Sequence, residues 1–411
     1  MNASTPAKHA FIPDLFETHF EELAFLWSQR RSALVSRRYS RNAFRDLEER
    51  VEAHVAGLLH SGEHIVPATK DGLSADDAAV AFASAYTLLR LKSPTTAYIV
   101  MEVFREAQEE QLDGIRQALC HGPIELVLED LRQAAATASP TIAVAAIEAL
   151  HFHSKLGPEA KHLEQFLSDE NPEVREAAWR INGRIGFVQS QTQFEVALAD
   201  NDLRVRRETL FSAGWTQQRW LPGYCRLLAA NPTKENEDAL MLLAILGKPN
   251  DLQCIQDLGR VTMLGPKRFQ ILGAFGHPGV IDGLIRELGN SDLRSAVAAG
   301  AAFTKITGCD VESDKRVQLP PEDGHEPDEF EKEFLDEAKL SDAQRALAHW
   351  QKVKDSFAKG TRWCRGFDLS QLAKPEVLNQ LDMESRWGAC LRGKFEGTWQ
   401  GNPMDLERFP Q

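Results

Sequence analysis

A phased repeat of about 30 residues runs through the middle of the chain and constrains the fold more than any other feature. Asp169-Glu170-Asn171-Pro172-Glu173-Val174-Arg175 returns as Asp200-Asn201-Asp202-Leu203-Arg204-Val205-Arg206. Fainter marks stand at Ser139-Pro140, Asn231-Pro232 and Asn290-Ser291-Asp292-Leu293-Arg294, with Gly265-Pro266 as a degenerate one. At each mark a Ser, Asn or Asp can accept hydrogen bonds from the free amides of a helix start, and proline fits the first helical position. After Pro172 the residues Val174, Ala177, Ala178, Ile181 and Ile185 form one apolar stripe; after Pro232 it is Ala239, Leu242, Leu243 and Leu246. Shorter helices at 221–228 and 280–288 complete their pairs. No pair can bury its stripe alone, so the pattern predicts stacked pairs: an all-α solenoid.

The flanks differ from the repeat. Residues 14–65 predict two helices, the first carrying Leu15, Phe16, Phe20, Leu23, Leu26 and Trp27, the second Phe44, Leu47, Val51, Val55 and Leu58. Gly62 is expected to end the second in a left-handed cap. Arg30, Arg31, Arg37, Arg38, Arg41, Arg45 and Arg50 make a local basic cluster; intramolecular pairing with Glu48, Glu49 and Glu52 explains it more simply than an acidic partner. Ser93-Pro94 and Gly122-Pro123 predict helix starts. Over 311–342, twelve acidic residues face four basic ones, and Pro320, Pro321 and Gly324 break structure. Here the expectation is an exposed loop, then a helix from about Asp328, then another over 341–358 with Leu347, Trp350 and Val353 on one side. Trp363, Trp387, Trp399, Phe367, Phe395 and Phe409 mark the tail, as a cap over the last repeat or as anchors for a partner. No segment shows the two-residue alternation of a strand. The expected organisation is an N-terminal helical region (1–133), repeats (134–308), an acidic insertion (309–340) and a helical, aromatic C-terminal cap (341–411).

The net charge of -13 opposes binding to a phosphate backbone, so nucleic acid is not an expected partner. No run of apolar residues is long enough to span a bilayer, and the N-terminus lacks the basic start and apolar run of a signal peptide. The six cysteines, Cys120, Cys225, Cys254, Cys309, Cys364 and Cys390, form no Cys-x-x-Cys pair and suit reduced thiols in a cytoplasm.

Chemistry-bearing patterns are few. His60, Glu63 and His64 fit a His-x-x-Glu-His metal motif, but Gly62 and an expected helix end between the imidazoles break the needed helix face. His151 and His153, two apart, would point away from each other on a helix, and Cys120-His121 is a helix-end dipeptide. Gly273–Gly279 predicts a tight inter-helix turn. No nucleophile elbow, phosphate loop or dinucleotide fingerprint occurs. Arg175 and Arg206 are placed to reach an Asp or a carbonyl of the next unit, with Asp169 and Asp200 at the right phase. The expectation is therefore no catalytic, cofactor-binding or metal residues, and a protein partner.

Residues Asp169–Ile185 and Asp200–Ala213 resemble HEAT repeats, whose pattern is a capped Asp-x-x-Pro-x-Val-Arg turn followed by an Ala-rich helix, here Glu176-Ala177-Ala178-Trp179-Arg180. In the second unit Leu203 replaces the proline, and Glu208-Thr209 the alanine pair. Glu21–Arg31, Leu47–Leu58 and Gly360-Thr361-Arg362-Trp363 together resemble an uncharacterised proteobacterial family of HEAT-repeat proteins, whose genes tend to lie in type VI secretion clusters. That resemblance implies a non-catalytic adaptor in effector loading or spike assembly, with a spike component or an effector as partner. An immunity protein that neutralises a toxin, and a helical-repeat enzyme of the bilin-lyase kind, remain alternatives.

Overall fold

Five of the six phase marks stand at helix starts. In the computed structural model Asn171 Oδ1 accepts from Glu173 N at 2.9 Å, Asp202 Oδ1 from Arg204 N at 2.8 Å, and Asp292 Oδ1 from Arg294 N at 3.2 Å. They open the helices Pro172–Ile185, Leu203–Trp215 and Leu293–Thr307. Pro140–Phe152 follows Ser139, and Lys267–Phe275 follows Pro266. Asn231 departs from this rule. It closes Leu221–Ala230, and the next helix, Glu237–Leu246, starts after a 3-10 turn at Lys234–Asn236. Pro94 starts a helix as expected, whereas Gly122 ends Glu109–His121 and the next helix waits until Leu128–Thr137.

The structure describes residues 12–408 apart from 322–324, 326, 327, 329 and 371–373. The expectations resting on the first eleven residues, Glu322, Asp323, Gly324, Glu326, Glu329 and Phe409 lie outside the described residues. Among those described, the fold is all-α: twenty-one α-helices with short 3-10 turns, and two antiparallel two-stranded sheets. None of these helices is long and apolar enough to cross a membrane.

Chain contacts divide the molecule into two compact units. The first runs to Ser212 and includes Asp382–Glu384 and the segment from Asn402. In it Ala78–Arg90 packs on Glu109–His121, which packs on Pro140–Phe152, which packs on Pro172–Ile185. Gly114 allows the first of these approaches, since a Cβ there would stand 2.3 Å from the Ala78 carbonyl oxygen. The aromatic core stacks Trp27 on Phe82 at 3.6 Å between ring centroids, and Phe82 on Tyr86 at 5.0 Å. The helices Pro13–Leu34 and Arg41–Leu59 pack on each other, with Leu23, Leu26, Val51 and Val55 buried.

The second unit runs from Ala213 to Leu381 with Ser385–Gly401. Here Glu237–Leu246 packs on Leu221–Ala230 and on Lys267–Phe275, which packs on Leu293–Thr307. Trp387 and Trp399 of the tail lie 5.8 and 6.2 Å from the Trp215 ring.

Two expectations fail within this unit. Strands do form: Glu312–Gln318 pairs with Glu337–Ser341, and Trp363–Cys364 with Phe367–Asp368. The helix expected from Asp328 is instead a 3-10 turn, Glu331–Phe334, followed by strand. The cause is that both faces of the Glu312–Gln318 strand are largely exposed, so no apolar alternation marks it. Backbone pairing, the Arg316–Glu337 ion pair at 3.3 Å and the Ser313 hydroxyl donating to Leu340 O at 2.7 Å hold the ribbon. The following helix, Ala343–Phe357, buries Trp350 but leaves Leu347 exposed.

Arg362 is the buried staple of this unit. Its guanidinium donates to Ala244 O at 3.0 Å, Ala274 O at 3.1 Å and Gly247 O at 2.8 Å, and lies over the Phe275 ring. These carbonyls lie at the C-terminal ends of Glu237–Leu246 and Lys267–Phe275, where orphan oxygens and the negative end of the helix dipole favour a cation. Burial, with Arg392 adding to it, lowers its pKa to about 9, so it stays charged at neutral pH. Next to it, Gly276 at φ +68° receives Trp363 N on its carbonyl at 2.7 Å; a side chain there would meet the Trp363 carbonyl. Arg362→Met is expected to lower unfolding free energy by about 3 kcal/mol in urea titration, and Arg362→Lys to restore little of it, because an ammonium cannot span three carbonyls.

Candidate functional site

Every buried residue of the Pro140–Phe152 helix is apolar except Glu148. That side chain is 2% exposed, and three guanidiniums converge on it. Arg116 donates to Oε2 at 2.8 Å, Arg180 to Oε2 at 3.0 Å and Arg184 to Oε1 at 2.9 Å. Arg116 stands 32 residues before Glu148 and Arg180 stands 32 after it. The three residues therefore occupy one position on successive alternate helices that pack on each other. Arg184 joins because it lies one turn beyond Arg180 on the same helix face.

The cluster extends on both sides. Arg116 also reaches Asp113, which pairs with Arg31 at 3.0 Å and accepts from Gln117 at 2.7 Å. Gln117 in turn accepts from the Trp27 indole at 2.6 Å. On the other side Arg184 pairs with Glu407. The Glu407 carbonyl accepts from Arg30 at 2.6 Å, and Arg30 is bound to Glu48 at 2.8 Å. Arg30 and Glu48 are both buried. The segment that brings Glu407 here is fixed by a 3-10 turn at Pro403–Leu406, capped by Asn402, with Met404 and Leu406 buried. Arg408 donates to the Phe152 carbonyl and lies over the Phe152 ring.

Burial alone would raise the Glu148 carboxyl, but Arg116, Arg180 and Arg184 outweigh it and hold it far below the ordinary carboxylate range. Glu48 goes the other way: burial exceeds the help from Arg30 and pushes it up to about 7. The Cys120 thiol is driven up by burial and by the Glu148 charge. Burial and the field of Arg30 keep His121 neutral at physiological pH. Glu148 is therefore ionised at neutral pH, with three guanidiniums around it. What this arrangement does is clamp: it locks three helices and the Glu407 segment to one carboxylate.

The sequence did not single out Glu148, Arg116, Arg180, Arg184 or Glu407. A usable signal existed, because charged residues 32 apart interrupt otherwise apolar helix faces. The basic N-terminal cluster is split by the fold. Arg30 and Arg45 take Glu48 and Glu49, whereas Glu52 pairs with Arg90. His60 caps the end of Arg41–Leu59 and His64 sits in the 3-10 turn Gly62–Ile65, so they share no helix face. His153 binds the Leu119 carbonyl at 2.9 Å, and His151 lies in Pro140–Phe152. Among the described residues no three His, Cys, Asp or Glu side chains gather as a metal site.

A second kind of contact, a forked Arg–Asp pair, occurs in both units. Arg175 binds Asp200 through two hydrogen bonds of 2.7 and 2.9 Å and the Asp169 carbonyl at 2.7 Å. Arg226 binds Asp251 in the same forked way at 2.6 and 3.0 Å. Both pairs span 25 residues, from one helix or its edge to the start of a later one.

Glu148→Gln leaves three guanidiniums without their carboxylate and is expected to cost about 3–5 kcal/mol. Because the folded pKa of Glu148 lies below its unfolded value of about 4.5, its contribution is complete at neutral pH and is lost as pH falls below about 4.5. Thermal melts should therefore show a large gap between wild type and Glu148→Gln at pH 7, narrowing in acid. Compared with known protein families and with curated proteins, the chain matches none.

Proposed function

We propose that this chain is a non-catalytic protein-interaction scaffold, a HEAT-like α-solenoid that serves as a cytoplasmic adaptor of a bacterial type VI secretion apparatus, in effector loading or spike assembly. The observation that carries the scaffold part is the succession of alternate helices, each packed on the next, in Ala78–Arg90, Glu109–His121, Pro140–Phe152 and Pro172–Ile185. Such a succession suits an extended, rigid binding surface. The clamp on Glu148 and the Arg175–Asp200 and Arg226–Asp251 forks support it further, since each fixes neighbouring helices without offering a reactive group. The secretion part rests on the resemblance carried by Glu21–Arg31, Leu47–Leu58 and Gly360–Trp363.

Affinity purification of the tagged full chain from its native host, after mild cross-linking, is the direct test. Co-purification of a spike component or an effector is expected. Recovery of specific partners that are all unrelated to secretion overturns the adaptor role and leaves the scaffold; recovery of no specific protein overturns both.

A further inference from the structure

In the second unit, the loop between the paired strands Glu312–Gln318 and Glu337–Ser341 carries two aromatic rings out into solvent. Phe330 and Phe334 are each 70% exposed, and their rings lie 4.9 Å apart. Phe330 precedes and Phe334 ends the 3-10 turn Glu331–Phe334, whose start is held by Asp328 Oδ1 accepting from Phe330 N at 2.9 Å and Glu331 N at 2.8 Å. The rings are thus displayed by a defined turn. A paired, exposed aromatic surface costs solubility unless something covers it, and aromatic side chains are enriched at the centres of protein interfaces.

The charge around the rings selects what can cover them. Asp314, Asp328, Glu331, Asp336 and Glu337 are all exposed on the same ribbon and turn. Over residues 311–342 the sequence has twelve acidic side chains to four basic ones. A second copy of this tip would bring like charges together, and phosphate-bearing surfaces would be repelled. A segment with lysines or arginines flanking apolar side chains would gain on both counts, burying its apolar side chains against the rings while its cations meet the carboxylates.

We propose that the Phe330/Phe334 tip is a docking site for a basic amphipathic segment of a partner protein. This rests on the scaffold reading above and names the chemistry of one partner surface. The probe is a fluorescein-labelled synthetic peptide of leucine and lysine in helical periodicity, titrated with the full chain and followed by anisotropy. Binding is expected to weaken as salt rises, and to fall at least about 10-fold in Phe330→Ser/Phe334→Ser, the loss of a central apolar anchor. The single variants should give intermediate losses, and all should melt as wild type because both positions are exposed. Leu227→Ser, which removes another exposed apolar side chain (75%) of this unit, should bind unchanged. Equal binding by the double variant, equal binding of a peptide with glutamate in place of lysine, or salt-independent binding each overturns the proposal. In the native-host purification, a double variant that keeps every wild-type partner defeats this site but leaves the scaffold standing. A wild type that captures no partner defeats the scaffold itself.

Discussion

Glu148 and its three arginines set the terms for the first unit. A lone carboxylate at that depth would be driven to its neutral form, and three lone guanidiniums would repel one another. Together they are stable only while the helices carrying them hold one register. A slip of one residue in any of them turns a charge into the apolar interface of Pro140–Phe152. An apolar set of equal volume would also pack, so what the charges add is a requirement for this one register. Through Arg184 the cluster also fixes Glu407, and through Glu407 the buried Arg30–Glu48 pair. The end of the described chain is thereby tied to the first two helices.

Arg362 meets a similar requirement by another route. It has no carboxylate within its hydrogen bonds and rests on the carbonyls of two helix ends. Helix C-termini leave such oxygens free, so one guanidinium satisfies orphan acceptors from two helices at once. Placing an arginine there joins two helices through backbone groups that no substitution of their own side chains would remove. The Arg175–Asp200 and Arg226–Asp251 forks act nearer the surface and link a helix to the loop that starts a later one. All of these contacts use the rigid, multiply donating geometry of arginine rather than lysine.

The helices were legible because their signals are local. Asn171-Pro172, Asp202 and Asp292 announce starts through groups that bond amides two residues on, and the apolar stripes need only a 3.6-residue period. Asn231 misled because a helix-closing asparagine and a helix-capping one look alike when a proline follows. The Glu312–Gln318 and Glu337–Ser341 ribbon was illegible for a different reason. Exposed on both faces, it is defined by pairing between segments far apart in sequence and not by any pattern within one.

From sequence alone came the helical class, the positions of several helix starts, the acidic stretch and the shortage of motifs for chemistry, since each depends on neighbours within a few residues. Only the tertiary structure decided which charges are buried together. Glu148 lies 32 residues from each of Arg116 and Arg180, and far from Glu407 along the chain; Arg362 reaches carbonyls 88 to 118 residues away. Whether a charge is solvated or clamped depends on which distant helix faces it and how completely water is excluded. No local pattern carries that information, because desolvation belongs to the packed assembly and not to the residue.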